Sequence, residues 1–243
     1  MILHVYTVVW NESYMMPYFL RHYEKVADKI LVFDDFSTDG TRDIVKAHPK
    51  AELHDWPCES GMIEPVKAKF FSREYRTRSR GIADWVICVD CDEFIYHPDL
   101  RSVLEEQKAL GTKAIKPDQG LIVGATTTPH TDGQLYDACP YGFERRAYAK
   151  PVIFTPDIDV WFGHGQHHSA VRPDVPKVRG TGIVLLHCCY LSREWILEHL
   201  KVRFARMPQH ELDRVNAGGL THDVAVATAM RDYGRMIRKG PWR

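Results

Sequence analysis

The chain has 243 residues, of which 44% are hydrophobic and 26% charged, a composition typical of a globular protein with one large core. Lysine plus arginine and aspartate plus glutamate each number 32, so the charge balance gives no support for a nucleic-acid partner. No run approaches the roughly 18 apolar residues that a membrane-spanning helix needs. We therefore expect a cytoplasmic protein without a transmembrane segment, while peripheral contact with a membrane stays open.

Predicted strands and helices alternate over residues 1–110. Strands are predicted in the apolar, β-branched segments that begin at Ile2, Lys29, Ala51 and Ala83, and a predicted helix follows each of them. This alternation is typical of an α/β fold with a mainly parallel central sheet flanked by helices. Ligands of such sheets bind beyond the carboxyl ends of the strands, where this chain has polar or acidic residues.

The pattern changes after Gly111, where Gly, Pro and Thr become frequent. Residues 111–191 are predicted to form loops and short strands. A helix is predicted after Ser192, a suitable N-cap, and a last helix over residues 222–237. No repeat or low-complexity linker is present, so we expect one domain over residues 1–243.

The segment VICVDCDEF carries the strongest chemical signal. An apolar strand ends in Asp90 and Asp92, and side chains two apart in an extended segment point to the same face. Two carboxylates on one face suit Mg²⁺ or Mn²⁺, whose remaining ligands would be water and phosphate oxygens. The alternative is a pair of solvated turn acids, or caps of the helix that begins near Pro98.

The segment FDDFSTDGT carries a second signal. Asp34 and Asp35 end a predicted strand, and Ser37 to Gly40 form a tight turn. A carboxylate in this position can accept a hydrogen bond from the imide N–H of uracil or from ribose hydroxyls. The alternative is an Asx-turn that only connects the strand to the next helix.

These segments together resemble the GT-A-fold glycosyltransferases, in particular the family 2-like and family 92-like group. The shared pattern is N-E at residue 11, then D-x-S-T-D-G-T, then D-W followed by D-x-D-E-F. The resemblance covers about the first hundred residues. It implies sugar transfer from a nucleotide-sugar, with UDP-sugar the default donor, to a glycan, a lipid-linked or a protein acceptor, with Mn²⁺ or Mg²⁺ as cofactor and inversion at the sugar. Residues 1–110 would bind the donor, and residues 111–243 the acceptor.

The resemblance also implies roles for the acidic residues. Asp92 would bind the metal directly, and Asp90 would contact the metal or the ribose. Asp35, or Asp34, would read the base. Further residues implied to contact the donor are Thr7 and Val8 in the first strand and Lys67 and Arg78 in the basic helix.

Two residues of the second half resemble the group more loosely. His187 would complete the metal site, although HCCY places two cysteines between His187 and Tyr190, where the group more often has His directly before Tyr. The alternative is a histidine packed on Trp195. Lys201 could neutralise the leaving diphosphate, or be a solvated lysine on a helix.

An inverting enzyme needs a base that deprotonates the acceptor hydroxyl. The candidates are Glu144 in YGFERRAY, Asp157 in TPDIDVWF and His164 in GHGQHHSA. The three histidines of the last segment do not have the spacing of a closed zinc site, so an acceptor loop or a surface turn is expected there.

Two rival functions were weighed. A haloacid-dehalogenase-type phosphatase also has a strand followed by D-x-D, but it requires Thr or Val where this chain has Phe94, and it leaves FDDFSTDGT unexplained. A catalytically silent GT-A-like domain that binds a nucleotide or a glycan stays open as the alternative.

Overall fold

A computed structural model of the chain describes residues 1–58, 64–163 and 170–242. The strands are β1 (Leu3–Val9), β2 (Lys29–Asp34), β3 (Ala51–Asp55), β4 (Trp85–Cys88), β5 (Glu93–Tyr96), β6 (Ala114–Ile115), β7 (Gln119–Gly124), β8 (Tyr141–Glu144), β9 (Ile153–Phe154), β10 (Val160–Trp161), β11 (Ala170–Val171), β12 (Lys177–Val178) and β13 (Val184–Tyr190). The helices are α1 (Met16–Tyr23), α2 (Thr41–Lys46), α3 (Glu64–Ser79), α4 (Leu100–Ala109), α5 (Arg193–Ala205), α6 (Gln209–Ala217) and α7 (His222–Lys239). None of the helices in these ranges has the length and hydropathy to cross a lipid bilayer.

The first sheet has the strand order β12-β6-β9-β4-β1-β2-β3. Its strands run parallel except β9, which is antiparallel to both of its neighbours. The predicted α/β alternation is confirmed, and the sheet is mixed rather than purely parallel. The exception arises because residues 152–154 return beside β4, where the Cys88 amide bonds the Val152 carbonyl at 3.1 Å.

The first sheet is buried on both faces, as the continuous apolar sequence of β1 requires. Leu3 and Val5 alternate with Tyr6 and Val8, and the two sets belong to different hydrophobic clusters. Residues of α1 and α4 cover one face, and residues of α3 cover the other. This packing fixes the positions of the loops that leave the strands.

A second sheet has the strand order β5-β13-β7-β8. It begins inside the segment that the sequence predicts as one strand through Phe94. The structure divides this segment into β4 and β5, which belong to different sheets, with a turn between them closed by the Glu93 amide on the Asp90 carbonyl at 3.0 Å. The expected extended geometry of Asp90 and Asp92 is therefore wrong, because both lie in this turn.

Both halves of the chain contribute to both sheets. β6, β9 and β12 come from residues after 110 yet extend the first sheet, whereas β5 comes from the first half and pairs with β13. The division into a donor half and an acceptor half stays a prediction, since it concerns binding rather than strand pairing.

Candidate active site

The carboxyl ends of three adjacent parallel strands bring the predicted acidic residues together. β1 lies between β2 and β4, and all three run in the same direction. Backbone bonds hold the residues that follow them: the Asp35 amide donates to Val9, and the Val89 amide to Tyr6. We call this border of the first sheet the acidic edge; its carboxylates are Asp34, Asp35, Asp90 and Asp92.

Asp92 and His187 form the central pair of the acidic edge. Strand pairing places His187 opposite Glu93, and the Nε2 atom of His187 donates to Oδ2 of Asp92 at 3.0 Å. Burial raises the pKa of Asp92, but the charge and hydrogen bond of His187 outweigh burial and hold that pKa below its usual value. The alternative in which His187 packs on Trp195 is not what the structure shows; its ring contacts Tyr148 instead, at 4.8 Å between centroids.

Two lysines neutralise the other carboxylates of the turn. The ammonium of Lys67, on α3, lies 3.0 Å from Oδ1 of Asp90. Lys150 lies 2.6 Å from Oε1 of Glu93, and both of these side chains are almost wholly buried. Burial opposes ionisation of Asp90, but Lys67 and Lys150 hold the pKa of its carboxyl well below the usual range. Asp90 and Glu93 of the turn therefore each have a lysine partner from another part of the chain.

Asp35 is held by an arginine from the C-terminal part of the chain. Arg206, the C-cap of α5, donates to Oδ2 of Asp35 at 2.6 Å, and the Cys58 amide donates to Oδ1 at 2.9 Å. The Arg206 guanidinium also lies 3.5 Å from the ring centroid of Trp10. Trp10 follows β1 directly, so an aromatic face and a carboxylate stand together where a base would be read.

Asp34 has a structural role in this arrangement. Its Oδ2 accepts from the Ser37 amide at 2.9 Å and from Arg42 at 2.6 Å, and its side chain has no exposed surface. This is the Asx-turn that the sequence offered as an alternative. Of the two aspartates, only Asp35 has any exposed surface, at 8% against 0% for Asp34.

Sequence reasoning missed Glu12 as a member of the site. Its amide donates to Oγ1 of Thr41 at 2.8 Å, which fixes the loop after β1 against the start of α2. Burial, and then the charge of Asp92, raise the pKa of Glu12 to about 8. The N-E pattern was the available signal, but nothing in it indicated a side chain directed at the D-x-D turn.

His199 was missed for a different reason. It lies on α5, its ring stacks on Trp195 with centroids 5.8 Å apart, and its charge also acts on Asp92. Lys201, the residue predicted on this helix, instead lies 3.5 Å from Glu198 with 72% of its side chain exposed. Lys201 therefore points into solvent, and its role at the diphosphate stays a prediction.

Thr7 and Val8 lie within β1, before the loop at the acidic edge. The strand continues to Val9, and both side chains are buried within the sheet, with Oγ1 of Thr7 lacking a hydrogen-bond partner in the described part of the chain. Trp10 occupies the position that the prediction gave to these two residues.

Arg78 lies away from the acidic edge. It bonds Glu74 and lies over the ring of Phe33, at 5.4 Å. Eleven residues of α3 separate it from Lys67, roughly 16 Å along the helix. Of the two basic residues predicted to face the donor, only Lys67 lies at the acidic edge.

The structure places neither Asp157 nor Glu144 beside the D-x-D turn. Asp157 follows β9, which is antiparallel to β4, so it lies at the opposite border of the sheet, paired with Lys113 at 2.7 Å. Glu144 pairs with Leu121, one place from the Ile122 that pairs with His187, so Glu144 and His187 point to opposite faces. His164 lies outside the described residues.

The donor set was tested for a divalent cation. Across residues 1–58, 64–163 and 170–242, no three His, Cys, Asp or Glu side chains are grouped as a complete metal site. Asp92 and His187 nevertheless offer an oxygen and a nitrogen 3.0 Å apart, and Nδ1 of His187 has no partner among these residues. The two residues fit a cation that takes two ligands from the protein and the rest from phosphate and water.

Comparisons with known proteins give limited information. No family model matches the chain, and a search of curated proteins finds no significant match. Among solved structures, the chain is similar to S. aureus TarS, with a TM-score of 0.49 and 15% identity over 83% of this chain and 39% of that one.

The fragment TarS 1–349 also matches. In complex with UDP-GlcNAc it has a TM-score of 0.44 and 15% identity over 85% of this chain and 66% of that one. A second structure of the fragment has a TM-score of 0.42 and 14% identity over 85% and 65%. The chain thus spans about two fifths of the first TarS structure.

Proposed function

We propose that the protein is a metal-dependent glycosyltransferase with a GT-A-type fold. It would transfer a sugar from a nucleotide-sugar to an acceptor hydroxyl and invert the configuration at the anomeric carbon. A UDP-sugar is the first donor to consider. The observation that supports this proposal is the convergence of Asp35, Asp92, His187 and Lys67 at one edge of the sheet. These residues come from four separate parts of the sequence. They supply a carboxylate for the nucleoside, a carboxylate and an imidazole for the cation, and an ammonium group for the diphosphate.

The proposed donor site follows the order of the strands. Asp35, which follows β2, accepts a hydrogen bond from the base. Trp10, which follows β1, places its ring beside that base. Asp92 and His187 would hold Mn²⁺ or Mg²⁺, with Asp90 contacting the cation or the ribose. The cation, when bound, would offset the charge that develops on the diphosphate leaving group. Lys67 adds a second positive charge at this position.

Among the candidate bases, Glu12 is the one whose charge interacts with the D-x-D turn. It lies close enough to Asp92 for their charges to interact, whereas Asp157 lies at the opposite border of the sheet. A base works best when its pKa lies near the operating pH, and the pKa of Glu12 is about 8. We assign to Glu12 the acceptance of the proton from the acceptor hydroxyl.

The experiment measures UDP release from a panel of UDP-sugars with Mn²⁺, in the presence of candidate glycan, lipid-linked and protein acceptors. Asp92→Asn should lower the rate by about 100-fold, which corresponds to about 2.7 kcal/mol of transition-state stabilisation. Asp223→Asn is the matched control, because Asp223 is fully exposed on α7. Removal of Mn²⁺ with a chelator should have the same effect as Asp92→Asn.

Equal rates for Asp92→Asn and Asp223→Asn would contradict the proposal. Saturable UDP binding without turnover across the panel would favour the catalytically silent module. The acceptor that increases UDP release identifies the acceptor class, and cytoplasmic location stays a prediction.

A further inference from the structure

Two adjoining cavities lie beside the segment that carries Lys150. The larger, of about 550 Å³, is lined by Pro151 and by residues of β6, β11 and β12. The smaller, of about 290 Å³, is lined by Ala149 and four charged residues. Arg179 lines both cavities. Because Ala149 and Pro151 flank Lys150, both cavities border the chain that supports the D-x-D turn.

The charged side chains of these cavities are mainly basic. Four of them are cations, namely Lys116, Arg146, Lys177 and Arg179. The two acids are Asp118, whose oxygens accept from the amides of Gly180 and Gly182 at 2.6 and 2.8 Å, and Glu144, which is exposed. We call this group the cationic cavities.

Among the described residues that line the cationic cavities, four cations stand against two acids. Among the described residues, none of the four cations forms an ion pair, in contrast to Lys67, Lys113 and Lys150. Burial and the nearby charge of Arg179 lower the pKa of Lys116. Lys116 is half-buried and the other three cations are exposed, so the cavities present an excess of positive charge that would attract an anion.

The cationic cavities lie on the same side of the sheet as the acidic edge. β6 and β12 run in the direction of β4, because β9 is antiparallel to both β4 and β6. Lys116 and Arg179 directly follow β6 and β12, just as Val89 and Asp90 follow β4. With strands about 4.8 Å apart, they stand about 10 and 14 Å from β4 across the sheet. An acceptor of a few sugar units could therefore reach from one site to the other.

We propose that the cationic cavities bind an acidic group, a phosphate or a carboxylate, carried by the sugar acceptor. The inference rests on the proposed function, because it assumes a sugar donor bound at the acidic edge. The anionic acceptor would lie beyond β6 and β12, separated from that donor by the width of β9. Lys116 and Arg179 contact the anion, and Glu144 is left to bond sugar hydroxyls. The acceptor hydroxyl is thereby held at a fixed distance from the acidic edge.

The test is a titration of the ¹⁵N-labelled full chain, without any donor, followed by NMR chemical shifts. The probes are glucose 6-phosphate, glucuronate and glucose. Both acids should bind, with shifts at the amides around residues 114–118 and 177–182, and glucose should not. Stronger binding of one acid identifies the group as phosphate or carboxylate.

The double variant Lys116→Ala/Arg179→Ala should weaken binding of the acids by about tenfold or more. The control Lys25→Ala/Lys46→Ala removes two exposed cations elsewhere and should bind like the unaltered chain. Failure of both acids to bind, equal binding of glucose, or unchanged affinity in the double variant would overturn the inference. UDP binding, measured separately on the double variant, should be unchanged; its absence in the unaltered chain would count against the proposed function alone.

Discussion

The buried pair of Glu93 and Lys150 shows how single residues create the electrostatics of the site. Glu93 is fully buried and Lys150 is 1% exposed. Burial lowers the pKa of Lys150, but Glu93 and Asp90 raise it overall, so its charge persists beneath the turn. The sequence showed three carboxylates in four residues, and it could not show that a lysine 57 residues away neutralises one of them.

Removal of one member of this pair should destabilise the protein strongly. Glu93→Leu or Lys150→Met leaves the other charge buried and unpaired, so we expect each to lower the free energy of unfolding by about 3–5 kcal/mol. The double variant should lose clearly less than the sum. Urea denaturation of the four proteins measures the coupling, and strict additivity would show that the two charges act independently.

At the scale of secondary-structure elements, the sequence predicts where a helix begins but not which of its faces packs against the rest of the protein. Ser192 was predicted as an N-cap, and its hydroxyl accepts from the Trp195 amide at 3.1 Å. That bond depends only on neighbours in sequence. Which face of α5 meets the acidic edge depends on how the helix packs against distant strands, and so His199 was overlooked in favour of Lys201.

The contact between β7 and β13 allows a sharp test of packing between elements. A Cβ on Gly124 would overlap the carbonyl group of Tyr190, where the register between the two strands shifts. Gly124→Ala should therefore lower the unfolding free energy by about 1–3 kcal/mol, because backbone must move.

Gly133→Ala serves as the matched control in the same denaturation measurement. Its Cβ would meet only Oγ1 of Thr131, at 3.4 Å, so a change within about 0.5 kcal/mol is expected. Equal effects of the two substitutions would show that the strands can separate freely at this point.

At the scale of the whole molecule, the first sheet was predictable and the second was not. Strand–helix alternation is a local pattern, and it identified β1 to β4 in order. The second sheet depends on pairing between β5 and β13, about ninety residues apart. The two-residue strands β6, β9 and β12 are too short to carry a pattern of their own, so their places were set by tertiary contacts.

His22 links the two halves of the molecule. Its Nε2 donates to the Ile95 carbonyl at 2.9 Å, and its Nδ1 accepts from the Tyr136 hydroxyl at 3.1 Å. Burial lowers the pKa of His22 from 6.5 to about 4. Below pH 6.5 the unfolded chain therefore binds a proton that the folded chain does not, and stability falls as the pH drops towards 4.

This linkage predicts a pH-dependent effect of one substitution. His22→Gln should lower the unfolding free energy at pH 7, and its deficit should shrink by about 2 kcal/mol at pH 5, because the variant has no such proton to take up. His210→Gln, on the exposed side of α6, is the control. A deficit that is the same at both pH values would mean that His22 is charged in the folded protein.

The contact of Arg206 with Asp35 and Trp10 has a consequence for how the last forty residues behave. The guanidinium occupies the hydrogen-bonding and stacking positions that we assign to the nucleoside. A nucleoside must therefore displace it, and the end of α5 then loses its anchor on the first sheet. Linkage requires the converse as well: whatever holds that helix end in place weakens nucleotide affinity by the same factor. Binding of the donor would in this way change the position or mobility of the C-terminal helices.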